Sequence, residues 1–317
     1  KEKKNIIILD GRPFEEYNKM SIPGSICCPN AEIPYKISSI VKNSKTDIIV
    51  NCAGRTRSII GAQTLINFGI KNKVYALENG TQGWFLSNLN LENNKTNYLK
   101  IEPKKNEIEK LKNKITNLLN KNHIQVINLS KVQDLIEDET RSTYIFNVKT
   151  NLSSNIFIHG IRNVPGGQLV QATDNYVGVL KSRIILLDEG DLVRAGTTAL
   201  WLKKMNFECY VFKGIETEIK NLNIKYYTKF KVTSLNHISL NDLKEPNKCV
   251  IFDIRKSIDY CKTRLKNSIW LNRSNLKQNL PNFMKNIVIV FDNISIVSLI
   301  VSDLKEIYPE IQVEVYQ

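Results

Sequence analysis

Three times along the chain a short β-branched run ends in a carboxylate or its amide: IIILDGRPFEEY from Ile6, YIFNVKTNLSS from Tyr144 and VIFDIRKSIDY from Val250. Beyond each, at a nearly constant offset, a second apolar run ends in a polar turn: DIIVNCAGRTRS, RIILLDEGDLVRA and NIVIVFDNISIV. A stretch of helical length and a third short run (KVYAL, CYVF, VEVY) follow in every case. The runs are continuously apolar rather than alternating, which suits strands of a parallel sheet buried on both faces. The segments between them, SIIGAQTLINFGI and AGTTALWLKKMNF, carry apolar residues at three- and four-residue spacing, as amphipathic helices do. The pattern predicts three copies of one α/β unit, each a parallel sheet of about five strands flanked by helices on both faces.

The copies set the domain organisation. The first occupies residues 1–95 and begins at its Asp-bearing strand, so its opening strand and helix are expected to lie outside this sequence. Residues 96–122 form a linker whose Lys/Glu-rich stretch aligns Ile108, Leu111, Ile115, Leu118 and Leu119 on one helical face, fitted to dock on a neighbouring domain. The second copy, residues 123–228, has a complete strand–helix opening, IQVINLSKVQDLIEDE. The third, 229–317, repeats that opening as KVTSLNHISLNDLKEP from near Phe230 and stops before the turn that closes the first copy.

Composition narrows the class. A chain of 317 residues, 42% hydrophobic and 24% charged, reads as globular, and no apolar segment approaches the about 20 residues a membrane span needs. The net charge of +14 is spread through a chain rich in Lys, Asn and Ile together. It lacks a basic run or interleaved aromatics, so neither nucleic acid nor membrane is expected as a partner. The six cysteines, at 27, 28, 52, 209, 249 and 261, form no CxxC pair and no disulfide framework. Scattered single thiols fit a reducing, cytoplasmic setting, although the absent initiator Met leaves room for a lost leader. His123, His159 and His237 lie far apart, so neither a metal nor any cofactor is expected.

The most informative stretch is NCAGRTRS, Asn51 to Ser58, between a buried run and a predicted helix. A loop there can curl so that successive amides point inward at the helix N-terminus and cradle an anion. Cys52 is placed to be the thiolate held by that cradle, with the amides of Ala53, Gly54, Arg55, Thr56, Arg57 and Ser58 around it. Gly54 gives the turn conformational freedom, Arg55 and Arg57 attract an anionic substrate, and Ser58 is suited to begin the helix. The bland alternative is a small buried residue beside solvated charge. Cys27 and Cys28, which close an apolar run before Pro29, fit core packing better than a resolving thiol. Cys209, Cys249 and Cys261 fall at no loop position and read as inert.

These residues resemble the rhodanese (sulfurtransferase) domain family. Asp10-Gly11-Arg12 with Glu15 and Tyr17 looks like its D-x-R-x-x-x-E-Y, Ile22-Pro23-Gly24-Ser25-Ile26 like its I-P-G-A-I, and Cys52 to Ser58 like its active-site loop. Asn79-Gly80-Thr81-Gln82-Gly83-Trp84 looks like its closing G-x-x-x-W element. The later copies are similar more weakly, through Asp253-Ile254-Arg255 and Val164-Pro165-Gly166-Gly167, so the whole resembles part of a tandem multi-rhodanese protein. The resemblance implies persulfide transfer: Cys52 takes a sulfane sulfur from a small anionic donor such as thiosulfate. It then passes the sulfur to a thiol or cyanide-like acceptor, or to a sulfur-acceptor protein. Asp10 and Arg12 would support the loop, with Glu15 and Tyr17 as helix-start and packing residues. The loop departs from the C-R-x-G-x-R/T of many thiosulfate-using members, since Gly54 is third and Ala53 follows the cysteine.

Two other readings compete. A Cys-dependent phosphatase would need C-x5-R, but this loop closes as C-x4-R at Arg57, a smaller cradle better matched to one sulfur atom. A non-catalytic module that senses redox state or binds a partner would need only the same reactive loop. At the position matching Cys52 the other copies are expected to hold Asp188 and Asp292, which cannot form a persulfide, so both copies read as inactive in sulfur transfer.

Overall fold

The computed structural model describes residues 5–150, 160–220, 222, 235–239, 249–280 and 286–317. The chain divides into two compact units, Lys1–Lys225 and Tyr226–Gln317. His159, Phe230 and most of the KVTSLNHISLNDLKEP opening lie outside the described residues.

The first unit contains two sheets. The first is built from β1 (Ile6–Asp10), α1 (Phe14–Lys19), β2 (Ile26–Cys27), α2 (Ile33–Ile40), β3 (Asp47–Asn51), α3 (Thr56–Asn67), β4 (Val74–Ala76) and α4 (Gly80–Leu86). Its strands are parallel in the order β2-β1-β3-β4. The helix α5 (Lys105–Lys121) leads to the second sheet. That sheet is made by β5 (Gln125–Ile127), α6 (Leu129–Glu137), β6 (Thr143–Asn147), β7 (Ile161–Asn163), α7 (Gly166–Gln171), β8 (Arg183–Leu187), α8 (Val193–Lys204), β9 (Glu208–Phe212) and α9 (Glu216–Ile219). Its order is β5-β9-β8-β6-β7, again parallel. Taken by itself, the second unit repeats the plan with β10 (Asn236–His237), β11 (Val250–Asp253), α10 (Ser257–Lys262), β12 (Ile269–Trp270), α11 (Leu276–Asn279), β13 (Asn286–Val290), α12 (Ile294–Ile307) and β14 (Gln312–Tyr316). Its parallel order is β10-β14-β13-β11-β12.

The parallel α/β plan follows from the buried β-branched runs. In the first sheet Leu9, Ile48 and Val50 are fully buried and pack on Ile33 and Ile37 of α2 and on Ala62 and Leu65 of α3. Each such side chain contributes about 2 kcal/mol of burial. The first sheet has four strands, where the others have a fifth beside β9 or β14. Its outer face differs accordingly. Ile145, Ile185 and Phe212 of the second sheet are buried with Val132 and Leu135 of α6, whereas Ile6 and Tyr75 of the first sheet are exposed.

The linker helix docks as its apolar stripe predicts. Leu111, Ile115 and Leu119 are buried in one core with Tyr35 and Phe68 of the first copy and Ala195, Ala199 and Leu202 of the second. Gly196 permits this approach, since a Cβ there would stand 2.5 Å from Ile115 Cγ1. Among the described residues, no helix is long and apolar enough to cross a membrane.

Register corrects two correspondences. Asp10 pairs opposite Asn51, Asn147 opposite Leu187 and Asp253 opposite Val290. The residues that follow the central strand are therefore Cys52, Asp188 and Phe291. Asp292 lies one position further on and is exposed, while Phe291 is buried in the core of its own sheet. The apolar run of the third copy simply extends one residue longer than its polar signature suggests. Likewise Val164 to Gly167 follow β7, whereas Ile22 to Gly24 precede β2, so the two stretches are not equivalents. By register Pro165 matches Pro29, and Gln168 matches Glu32.

The two copies of the first unit meet in a reciprocal interface of the kind a two-fold arrangement produces. Arg57 donates to Gln168 of the second copy at 3.1 Å, and Arg194 of the second copy donates to Glu32 at 2.6 and 3.0 Å. The Arg194 guanidinium also lies 3.7 Å from the centre of the Tyr35 ring. Near the local axis, Trp201 Nε1 donates to Thr64 Oγ1 at 2.7 Å. Removing one partner of a buried charge pair leaves the other uncompensated, which costs about 3–5 kcal/mol. Glu32→Ala is therefore expected to lower the urea midpoint of the first unit strongly, followed by hydrogen exchange of α3 and α8 amides. An unchanged midpoint would contradict the role given to the Arg194–Glu32 pair.

Candidate active site

Cys52 is the first residue after β3 and is buried. The loop it opens is held by its carbonyl groups. Thr81 and Gln82, in the first turn of α4, donate their amides to the carbonyls of Cys52 at 2.9 Å and Ala53 at 3.0 Å. Thr81 Oγ1 adds a second bond to Ala53 at 3.2 Å. Ser58 Oγ donates to the Arg55 carbonyl at 2.8 Å, and Asn30 Nδ2 to the Arg57 carbonyl at 2.8 Å. With these carbonyls tied on one side, the amides from Ala53 to Ser58 donate to no protein acceptor among the described residues. Amides left unpaired in a turn that runs into a helix N-terminus are what an anion nest requires.

Gly80 makes the anchoring possible. Its φ is +53°, and a Cβ would meet the Cys52 carbonyl oxygen at 2.1 Å. The closing G-x-x-x-W element thus touches the loop directly, a role its sequence signature did not reveal. Ser58 does not begin the helix: α3 starts at Thr56, and the Ser58 hydroxyl turns back to the Arg55 carbonyl instead.

The charges divide unevenly. The Arg55 side chain is exposed and makes no ion pair or hydrogen bond among the described residues. Arg57 is buried and engaged, donating from two nitrogens to both Glu16 carboxylate oxygens at 2.7 Å. It is thus not a free attractor of the kind its sequence position suggests. Glu16, the residue next to Tyr17, was missed in favour of Glu15, which is exposed in the first turn of α1. A signal existed, because the acid of D-x-R-x-x-x-E-Y counted from Asp10 falls on Glu16 rather than Glu15, and the third copy repeats the acid–Tyr pair as Asp259-Tyr260.

Asp10 and Arg12 form a brace beneath the loop. Arg12 donates to Asp10 at 2.9 and 2.7 Å and to the Met20 carbonyl at 2.6 Å, while Asn51 Nδ2 donates to Asp10 at 2.9 Å. Burial alone would lower the Arg12 pKa. The Asp10 hydrogen bond and the charges of Asp10, Glu16 and Cys52 outweigh it and leave it raised. The third copy repeats the brace: Arg255 donates to Asp253 at 3.0 and 2.6 Å and to the Thr263 carbonyl at 2.7 Å, and Tyr260 OH to Ser268 at 2.8 Å as Tyr17 OH does to Ser25. Phe291 stands there in the place of Cys52, so the brace does not require a cysteine beside it.

The second copy shows what this kind of loop holds. Asp188 Oδ1 accepts the amides of Gly190 at 2.9 Å and Leu192 at 3.1 Å, and Oδ2 accepts that of Ala195 at 3.1 Å. The amides converge on the side chain that matches Cys52. Burial raises the Asp188 pKa against these bonds. Burial, and then the charge of Asp188, pushes the Asp191 carboxyl up to about 7, although Arg194 lies 3.1 Å away and pulls the other way.

The remaining thiols fit packing roles. Burial raises Cys27 and Cys209 to about 12 and lifts Cys28 and Cys249 as well. Cys261 is exposed on α10. Among the described residues no group of His, Cys, Asp or Glu could hold a metal ion.

The sequence pattern of the rhodanese-like domain matches residues 1–87. Over 99% of its length the chain is 30% identical to a crystal structure of thiosulfate sulfurtransferase from Pseudomonas aeruginosa, with a TM-score of 0.80. The chain spans 60% of that protein. The BH2092 protein from Bacillus halodurans (24% identity over 29% of this chain and 66% of that one, TM-score 0.26) and the 3-mercaptopyruvate sulfotransferase SseA from Escherichia coli (17% over 67% and 93%, TM-score 0.30) are only locally similar and carry no further argument. No curated relative matches the chain in sequence.

Two outcomes follow from the geometry. Gly80→Ala places a side chain in a left-handed conformation, costing about 1–2 kcal/mol before the contact with the Cys52 carbonyl is counted. It is expected to destabilise the first unit and to speed alkylation of Cys52 by iodoacetamide, read by peptide mass. A parent-like stability and rate would refute the anchoring. The Asp191 carboxyl, raised in the folded state from its ordinary 3.8, keeps a proton that the unfolded chain has lost. Its contribution is thus fully present below about 4 and is lost as pH rises through about 7. Urea midpoints of the first unit should fall across that window, and Asp191→Asn should flatten the fall.

Proposed function

Because the chain belongs to the rhodanese-like domain family, we propose that its first copy is a sulfurtransferase acting through a Cys52 persulfide. The observation that carries this reading is the pair of equivalent loops. In the second copy the amides converge on a carboxylate, while in the first the same position is a cysteine and the amides from Ala53 to Ser58 are without protein acceptors among the described residues. A cradle built for one anion, with a sulfur at its centre, suits a thiolate and then a persulfide.

The chemistry balances with these groups. The Cys52 thiolate attacks the outer sulfur of thiosulfate, the donor's S–S bond breaks, and sulfite leaves with the electron pair. The terminal sulfur of the resulting persulfide carries the negative charge, which the loop amides stabilise by direct donation. A thiolate or cyanide acceptor then attacks that sulfur, and Cys52 departs as the thiolate. Arg55, exposed at the mouth, guides the anionic donor, and Asp10 with Arg12 hold the end of the strand beneath. The second and third copies, with Asp188 and Phe291 in the nucleophile's place, take no sulfur. The second supports the loop across the shared interface. A cytoplasmic setting and a sulfur-acceptor protein fit the same reading.

The loop also argues against phosphate transfer. The cradle from Cys52 to Arg57 is one residue shorter than the one from Asp188 to Arg194, and its last arginine is committed to Glu16. Steady-state assays with thiosulfate or mercaptopyruvate as donor test the proposal. Cys52→Ser should abolish turnover and Asp188→Asn should retain it. Arg55→Ala should raise KM for thiosulfate roughly tenfold, the equivalent of about 1.4 kcal/mol for one charge-assisted contact. Full activity in Cys52→Ser refutes the reading.

A further inference from the structure

Arg57 closes the cradle, yet its guanidinium is already committed to protein partners. Glu16 binds two of its nitrogens at 2.7 Å, and Gln168, reaching from the second copy, accepts from one of them at 3.1 Å. The matching arginine of the second copy is held in the same style, by Glu32 from across the interface and by Asp191 within its own loop. In each case the cross-interface partner comes from the register-equivalent position, Glu32 or Gln168. Where that partner is the neutral Gln168, the compensating charge is supplied by Glu16 from α1. Glu16 also lies near enough to act on Arg12, which feels the Cys52 charge as well. The mouth of the cradle is left with Arg55 as its uncompensated loop arginine.

We propose that Glu16, acting through Arg57 and locked by Gln168, is a specificity-determining residue that keeps the positive charge around Cys52 low and so favours a singly charged donor over a doubly charged one. This rests on the reading of Cys52 as the sulfur-accepting thiolate. A bidentate carboxylate–guanidinium pair presents little net charge to an approaching anion, whereas a freed guanidinium attracts a dianion more than a monoanion. The silent second copy thereby bears on donor choice through one glutamine.

The test uses the intact chain and Glu16→Gln, with Glu15→Gln as the neighbouring control and Glu16→Asp as the charge-preserving one. Glu16→Gln should lower KM for thiosulfate roughly tenfold, with a much smaller change for the monoanion mercaptopyruvate and little change in kcat. Independently of sulfur transfer, alkylation of Cys52 should become roughly tenfold faster with anionic iodoacetate relative to neutral iodoacetamide. Gln168→Leu should shift both readouts the same way by a smaller factor, and the two controls should behave as the parent. Parent-like reagent and KM ratios in a folded Glu16→Gln variant would overturn the proposal. The alkylation ratio stands apart from turnover, so a chain without sulfurtransferase activity would sink the catalytic reading while leaving this result to be judged on its own.

Discussion

Two hydrogen bonds from the first turn of α4 decide which way the Cys52 loop faces. By donating to the carbonyls of Cys52 and Ala53, Thr81 and Gln82 fix the oxygen side of those peptides against the domain. A peptide unit whose oxygen is held on one side presents its N–H on the other. Ser58 and Asn30 extend the same restraint to the carbonyls of Arg55 and Arg57. The orientation of these peptides is therefore imposed from behind by neighbours. Preorganised donors of this kind need no reorientation when charge develops in front of them. Gly80 is the point on which the anchoring turns, because its missing Cβ is what lets α4 come so close.

The second copy packs against this arrangement with a carboxylate where the first has Cys52. Its own loop is satisfied by Asp188, so it behaves as a filled and rigid version of the same cradle. Across the interface the loop arginines are exchanged for partners at equivalent positions, and α5 seals both halves with Leu111, Ile115 and Leu119. At the interface Arg57 gains Gln168 beside its own Glu16, and Arg194 gains Glu32 beside its own Asp191, so it is Arg194 whose carboxylate pairing depends most on the two copies staying together.

Much of this was legible in the sequence, and the failures have physical causes. The continuously apolar β-branched runs gave the parallel strands, and the helical stripe of Ile108 to Leu119 gave the docking face of α5. The loop from Cys52 to Arg57 was visible because strand, turn and helix signals meet there. What sequence spacing could not resolve was register at the level of one residue. Polar residues were matched to one another, so Asp292 stood in for Phe291. Likewise Ser58 carries a helix-starting side chain, but its hydroxyl is drawn to the Arg55 carbonyl. The Arg57–Gln168 contact joins residues far apart in sequence, and no local pattern announces it. Two arginines in one turn look alike until their partners are seen.

In the proposed mechanism the sulfur of Cys52 accepts and releases one further sulfur atom inside the cradle of amides. Intact-protein mass spectrometry in a single turnover reads this directly. After exposure to thiosulfate or mercaptopyruvate and removal of excess donor, the account predicts a gain of one sulfur per chain. Peptide mapping should place it on Cys52, and a thiol acceptor should discharge it. A protein that takes up no sulfur from either donor, or carries it on another cysteine, would contradict the account.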